Sequence, residues 1–132
     1  MFIYNARAIN RDVRTLIIED NVGIRTGLEL TLQMDGHEAT STDCCEHALA
    51  LLESRDFDLI LLDLNTRGIS AFEFMKRLNA VFSEDARPKV IVISGSEQIE
   101  FEAKRIGALN WLRKPFELQH LYQIIKPATN CA

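Results

Sequence analysis

The chain has 132 residues, 47% of them hydrophobic and 26% charged, with a formal net charge of −4 at pH 7. That length suits one domain with a proper core, and the negative balance, with no dense basic run, argues against nucleic acid as a direct partner. No apolar stretch approaches the roughly 20 residues a membrane-spanning helix needs, and the opening Met1-Phe2-Ile3-Tyr4-Asn5-Ala6-Arg7 lacks the long apolar core of a secretory signal.

Residues 1–12 read as a short N-terminal extension. A first strand is expected over 13–19, closing on Glu19-Asp20. Residues 22–34 follow at helical spacing, with Ile24, Leu28 and Leu32 on one stripe. Asp35-Gly36 ends that helix, since Gly is the usual residue just past a helix end. Residues 37–42 alternate weakly and make a second strand. Asp43-Cys44-Cys45-Glu46 has capping-box spacing, with Asp in place of Ser or Thr. The helix behind it buries Ala48, Leu51 and Leu52. A third strand over 57–63 ends at Asp63, and Ser70-Ala71-Phe72-Glu73 is a second capping box, opening a helix to about 82. Pro88 precedes a fourth strand that ends at Ser94; proline suits that place because it donates nothing inside a ladder. A fourth helix is expected over 96–106, with Ile99, Ala103 and Ile106 inward and Phe101 pointing the other way, closed by Gly107. A short fifth strand over 110–113 leads to Lys114-Pro115, and a last helix over 117–126 stops at Pro127. Five strand–helix repeats with short connections give a parallel sheet with right-handed crossovers and helices on both faces.

The apolar runs of four strands stop at polar residues of different kinds: Glu19-Asp20, Asp63, Ser94 and Lys114. In an open parallel sheet, ligand chemistry collects beyond the carboxyl ends of the strands. Three carboxylates meeting there repel one another unless a hard divalent cation sits among them. A lysine and a hydroxyl facing that cation suit a phosphoryl group. Singly, each residue has a blander reading: the acid pair as a helix cap, Asp63 as a turn residue, Lys114 as a solvated charge, Ser94 as a cap. Their coincidence at four strand ends, in order, favours a site. The three cysteines, Cys44, Cys45 and Cys131, and the three histidines, His37, His47 and His120, have no metal-ligand spacing, so reduced cytosolic thiols are expected.

These motifs, from Arg14 to Lys126, resemble the receiver domain of two-component response regulators. The resemblance implies an α/β, flavodoxin-like fold: a doubly wound five-stranded parallel sheet of order 2-1-3-4-5, with the receiver domain at 13–127 and a tail at 128–132. It implies a regulatory domain rather than an enzyme, one that promotes its own metal-dependent phosphorylation and dephosphorylation. Asp63 is the implied phosphoacceptor, and the implied donor is a histidine kinase or a histidine phosphotransfer protein. Asp20, Asp63 and the backbone carbonyl of Asn65 are the implied direct ligands of Mg²⁺ or Mn²⁺, with Glu19 acting through water. Lys114 and Ser94 are implied to contact phosphoryl oxygens, and a cis Lys114–Pro115 bond to aim the lysine. Asn65 and Ser96 are implied to flank the hydrolytic water and so to tune the lifetime of the phosphoform; Ser96 as a cap of the fourth helix is the alternative. Trp111, where the family carries Tyr or Phe, is the implied switch aromatic. It shares an output face of fourth helix, fifth strand and fifth helix with Phe101, an outward aromatic suited to anchoring a partner.

The chain departs from the family at Thr66 and Arg67, where Met-Pro is usual, and at Ala71, where Gly is common. These changes bear on the speed and partner choice of phosphorylation. Arg67 either adds a cation near the phosphoryl position or stands as a solvated loop arginine. The implied location is the cytoplasm of a bacterium. The implied output is a protein target or an effector domain of a longer regulator, with a dimer through the output face as one oligomeric form. Two rivals stand beside this reading: a receiver-fold binding module that is never phosphorylated, and a small Mg²⁺-dependent phosphatase, which residue 65 disfavours by being Asn rather than an acid. No glycine-rich loop follows the first strand, which disfavours a nucleotide or flavin site.

Overall fold

The structure, a computed structural model, describes residues 12–108 and 110–129; most of the expected N-terminal extension, Cys131 and the end of the expected tail lie outside them. The elements are β1 (Arg14–Ile18), α1 (Val22–Met34), β2 (Glu38–Thr42), α2 (Cys45–Ser54), β3 (Leu59–Asp63), α3 (Ala71–Val81), β4 (Lys89–Ser94), α4 (Ile99–Ile106), β5 (Asn110–Arg113) and α5 (Leu118–Thr129). The five strands form one parallel sheet of order β2-β1-β3-β4-β5. This is the flavodoxin-like arrangement expected from the sequence.

The central strands are apolar at nearly every position because both of their faces are covered. Alternation then divides the core in two. Leu16, Ile18, Ile60, Leu62, Val90 and Val92 meet α2, α3 and α4 on one side. Ile17, Leu59, Leu61, Ile91 and Ile93 meet Leu28 and Leu32 of α1 and Leu121 and Tyr122 of α5 on the other. Register fixes the edge that matters. Ile18 lies opposite Leu62, Asp63 opposite Ile93, and Ser94 opposite Arg113. The polar residues that end β1, β3, β4 and β5 therefore line up along one rim. At the opposite rim, Asp58 accepts from the Arg14 backbone N–H at 2.9 Å and from its guanidinium at 3.2 and 3.1 Å, tying β1 to β3. Buried His37 does the same for β1 and β2: its Nδ1 accepts from the Val13 N–H at 2.9 Å.

Several local expectations are corrected. The first capping box does not form: Cys44 is the N-cap of α2 and makes no side-chain cap bond. Asp43 and Glu46 are drawn away by the loop after β3, Asp43 to Arg67 and Glu46 to the Ile69 N–H. The second box is half formed. Ser70 Oγ accepts from the Glu73 N–H at 3.0 Å, but the Glu73 carboxylate holds Arg77 at 2.9 Å. α4 starts at Ile99 rather than 96, because Ser96 Oγ accepts from the Gln98 N–H and folds a tight turn ahead of the helix. Ser96 is thus not its N-cap, which is Gln98. Gly107 closes α4 at φ 81°, a left-handed cap that suits glycine. α5 passes through Pro127 to Thr129, so two residues of the expected tail are helical. Proline removes one N–H, and near a helix end that costs one rung rather than the helix. Among the described residues no helix is long and apolar enough to cross a membrane.

Candidate functional site

β1 delivers Glu19 and Asp20 to the rim, and the start of α1 holds Glu19. Asn21 caps that helix by accepting the Ile24 N–H at 2.9 Å, while its own N–H donates to Glu19 Oε2 at 3.0 Å. Arg25, one turn on, donates to the Glu19 carbonyl at 3.0 Å. β3 delivers Asp63, 2% exposed, whose Oδ1 accepts from the Asn65 N–H at 3.3 Å. One oxygen from each of Glu19, Asp20 and Asp63 lies within 4.8 Å of the others. β5 delivers Lys114, whose N–H donates to the Ser94 carbonyl at 2.8 Å and whose bond to Pro115 is cis. Its ammonium lies 2.7 Å from Glu19 Oε1 and 3.6 Å from Asp63 Oδ1.

One ammonium among three carboxylates leaves negative charge in excess. Burial pushes the Asp63 carboxyl up to about 6, and its hydrogen bond to Glu19 and that group's charge push the same way. Lys114 and the Asn65 N–H pull it down without cancelling the rise. Hard oxygens with surplus negative charge, Glu19 and Asp63 fully buried, are a donor set that fits a hard divalent cation. Burial also raises the neighbouring Cys45 thiol, which stays protonated and poorly nucleophilic at neutral pH.

Ser94 is buried at the end of β4, and its Oγ accepts from the Ser96 N–H at 3.0 Å. Asn65 is solvent-exposed. Two sequence candidates belong to a different face. Trp111 is half-buried on β5, with the Lys104 ammonium 5.7 Å from its ring centre. Phe101, 65% exposed, points outward from α4. Arg67 does not approach the acid cluster; it pairs with Asp43 at 3.1 Å on the α2 side. Sequence reasoning missed Asn21 and Arg25 as supports of Glu19, although an Asn directly before a helical stripe is a cap signal. It also read Glu46 as a cap, where the structure gives it to the loop after β3.

A sequence description of the response regulator receiver domain matches residues 15–126. The cell cycle response regulator CtrA of Brucella ovis is 31% identical over 111 residues, 83% of this chain and 47% of the relative. The chain thus spans about half the length of such curated relatives. Among solved structures, the chemotaxis response regulator CheY4 of Vibrio cholerae has a TM-score of 0.79 and 27% identity, covering 89% of this chain and 99% of that one. NtrX from Brucella abortus, in complex with ATP, has a TM-score of 0.81 and 27% identity, covering 91% of this chain and 27% of that one.

Proposed function

The chain belongs to the response regulator receiver domain family, and we propose that it is a signalling switch operated by phosphorylation of Asp63. One observation carries the reading: Asp63 is buried beside Glu19 and Asp20, with Lys114 3.6 Å from its Oδ1. A phosphorylated histidine of a kinase or phosphotransfer protein is the donor. The ionised Asp63 carboxylate attacks the phosphorus in line. The new O–P bond forms as the P–N bond breaks, and the imidazole leaves with the electron pair and takes a proton. Phosphoryl transfer asks a protein mainly for positioning and charge stabilisation. Lys114 supplies charge by turning from Glu19 to a phosphoryl oxygen. Ser94 Oγ already accepts the Ser96 N–H, so its own proton is directed to another phosphoryl oxygen. Mg²⁺ or Mn²⁺ would be held by Asp20, Asp63 and the Asn65 carbonyl, with Glu19 acting through water, and would supply neutralisation of the carboxylates and of the incoming group.

Hydrolysis returns the switch to rest. Ser96 Oγ is engaged by the Gln98 N–H, whereas Asn65 is exposed and open to water, so Asn65 governs the lifetime more than Ser96. The signal leaves through α4, β5 and α5. Trp111 changes position there by giving up its contact with Lys104, and Phe101 offers an apolar anchor to a protein target or to an effector domain of a longer chain. The domain works in the cytoplasm with its donor. Incubation with acetyl phosphate and Mg²⁺, followed by intact mass, should show one added phosphoryl group on wild type and none on Asp63→Asn. Undiminished labelling of that variant would refute the reading.

A further inference from the structure

Four consecutive residues of the loop between β3 and α3 each meet the start of α2. Thr66 Oγ1 lies 3.5 Å from Cys45 Sγ. Arg67 forms a parallel backbone bridge with Cys44 and an ion pair with Asp43 at 3.1 Å. Gly68 faces the Glu46 carboxylate so closely that a Cβ there would collide with it. The Ile69 N–H donates to Glu46 Oε2 at 3.1 Å. β2 and β3 are not neighbours; β1 lies between them. The two loops therefore meet across the carboxyl end of β1, beside the acid cluster.

These contacts differ in weight. The Asp43–Arg67 pair is exposed on both sides, and such pairs contribute little. Glu46 is held from two directions. It sits in the first turn of α2, where the helix dipole favours a carboxylate, and it receives a backbone N–H from the loop. It also fills volume that only glycine leaves open, at a φ of 88° that only glycine adopts at no cost. The loop needs an outside hold. A proline would fix the backbone by itself, but this chain has Thr66-Arg67 there. The same loop carries the Asn65 N–H that reaches Asp63 Oδ1.

We propose that Glu46 is a positioning residue of the acceptor site: by clamping the loop 66–69 to α2 it fixes the backbone that follows Asp63. The proposal rests on Asp63 as the phosphoacceptor and on Asn65 as part of its surroundings. It identifies α2, an element that supplies no residue to the acid cluster, as the support of the loop that faces it.

Glu46→Ala and Glu46→Gln in the full chain test this. Glutamine keeps a carbonyl acceptor for the Ile69 N–H; alanine does not. Partners that orient a metal ligand or a reacting group typically govern affinity or rate by about tenfold to a hundredfold, and labelling of Glu46→Ala by acetyl phosphate should slow by that order. The Mg²⁺ concentration that gives half of the thermal stabilisation should rise in step. Glu46→Gln should stay close to wild type in both. Exchange of the Ile69 amide, followed without metal, should speed up in Glu46→Ala alone, and by more than the fall in its metal-free global stability accounts for. Wild-type labelling by Glu46→Ala, or a Glu46→Gln as slow as Glu46→Ala, overturns the proposal. If wild type takes up no phosphoryl group, the acceptor reading fails. The clamp is then judged on Mg²⁺ midpoint and Ile69 exchange, and wild-type values of both in Glu46→Ala overturn it.

Discussion

The two rims of the sheet both carry acids beside a cation, and they treat them in opposite ways. At the amino rim, Asp58 accepts three hydrogen bonds from Arg14, one from backbone and two from the guanidinium fork. At the carboxyl rim, Lys114 is, among the described residues, the one ammonium near Glu19 and Asp63, with Asp20 close by, and the Asp63 carboxyl is pushed up to about 6. A satisfied pair locks strands together and has nothing left to bind. An unsatisfied cluster costs stability in the bare protein and suits the cation and the phosphoryl group proposed for it. The difference separates a charge cluster that holds strands together from one left with charge to be neutralised.

The comparison breaks most visibly if the carboxyl rim proves to be as comfortable as the amino rim. Asp63 is protonated more readily folded than unfolded, where its pKa is about 3.9. Its contribution is therefore fully present below about pH 4 and lost as pH rises through about 6. Without metal, Asp63→Asn should match wild type near pH 4 and exceed it at pH 8 by up to about 3 kcal/mol. Denaturant titrations at the two pH values measure this. Mg²⁺ should recover comparable stability for wild type, about 2.7 kcal/mol at a hundredfold excess over Kd, and far less for Asp63→Asn.

Removing the acid at the amino rim should have the reverse sign. Asp58→Ala leaves the Arg14 N–H without its acceptor, which costs about 1–3 kcal/mol at any pH where Asp58 is ionised. It should leave the Mg²⁺ midpoint unmoved. His37 sharpens the comparison by its slope. Burial lowers its pKa, and its Nδ1 accepts the Val13 N–H only when that nitrogen is unprotonated. Its contribution is present above the unfolded value of about 6.5 and falls as pH drops below it. The two rims thus pull the stability curve in opposite directions on acidification. His37→Gln should flatten the loss without altering the Asp63 limb. The smallest effect concerns the output face. Lys104→Met removes a cation–π contact worth about 0.5–1 kcal/mol, and should make the fluorescence of Trp111, the chain's one tryptophan, more responsive to phosphodonor.

The carboxyl rim was the most legible part of the sequence, because β1, β3 and β4 are runs of buried apolar residues that each halt at a chemically distinct group. β3 shows this best: five buried residues in a row, the last an aspartate. Strand order came from the resemblance rather than from any residue. What stayed hidden was where polar side chains go when two options compete. Asp43 and Glu46 have the spacing of a cap, yet a loop more than twenty residues away claims both. Ser96 looks like a helix start and instead makes a turn with Gln98. Local spacing ranks the nearby partner and has no term for a distant one. The Arg14–Asp58 lock was hidden for the same reason, since its partners lie on β1 and ahead of β3.

The central claim, that the unsatisfied rim takes the phosphoryl group, is tested most directly by reductive trapping. Borohydride converts an aspartyl phosphate to homoserine, and peptide mass spectrometry locates it. After acetyl phosphate and Mg²⁺, homoserine should stand at position 63 and at no other acid, and Asp58→Ala should trap as wild type does. Homoserine at position 20 or 58 with none at 63, or no trapped product while intact mass shows a phosphoryl group, would contradict the account.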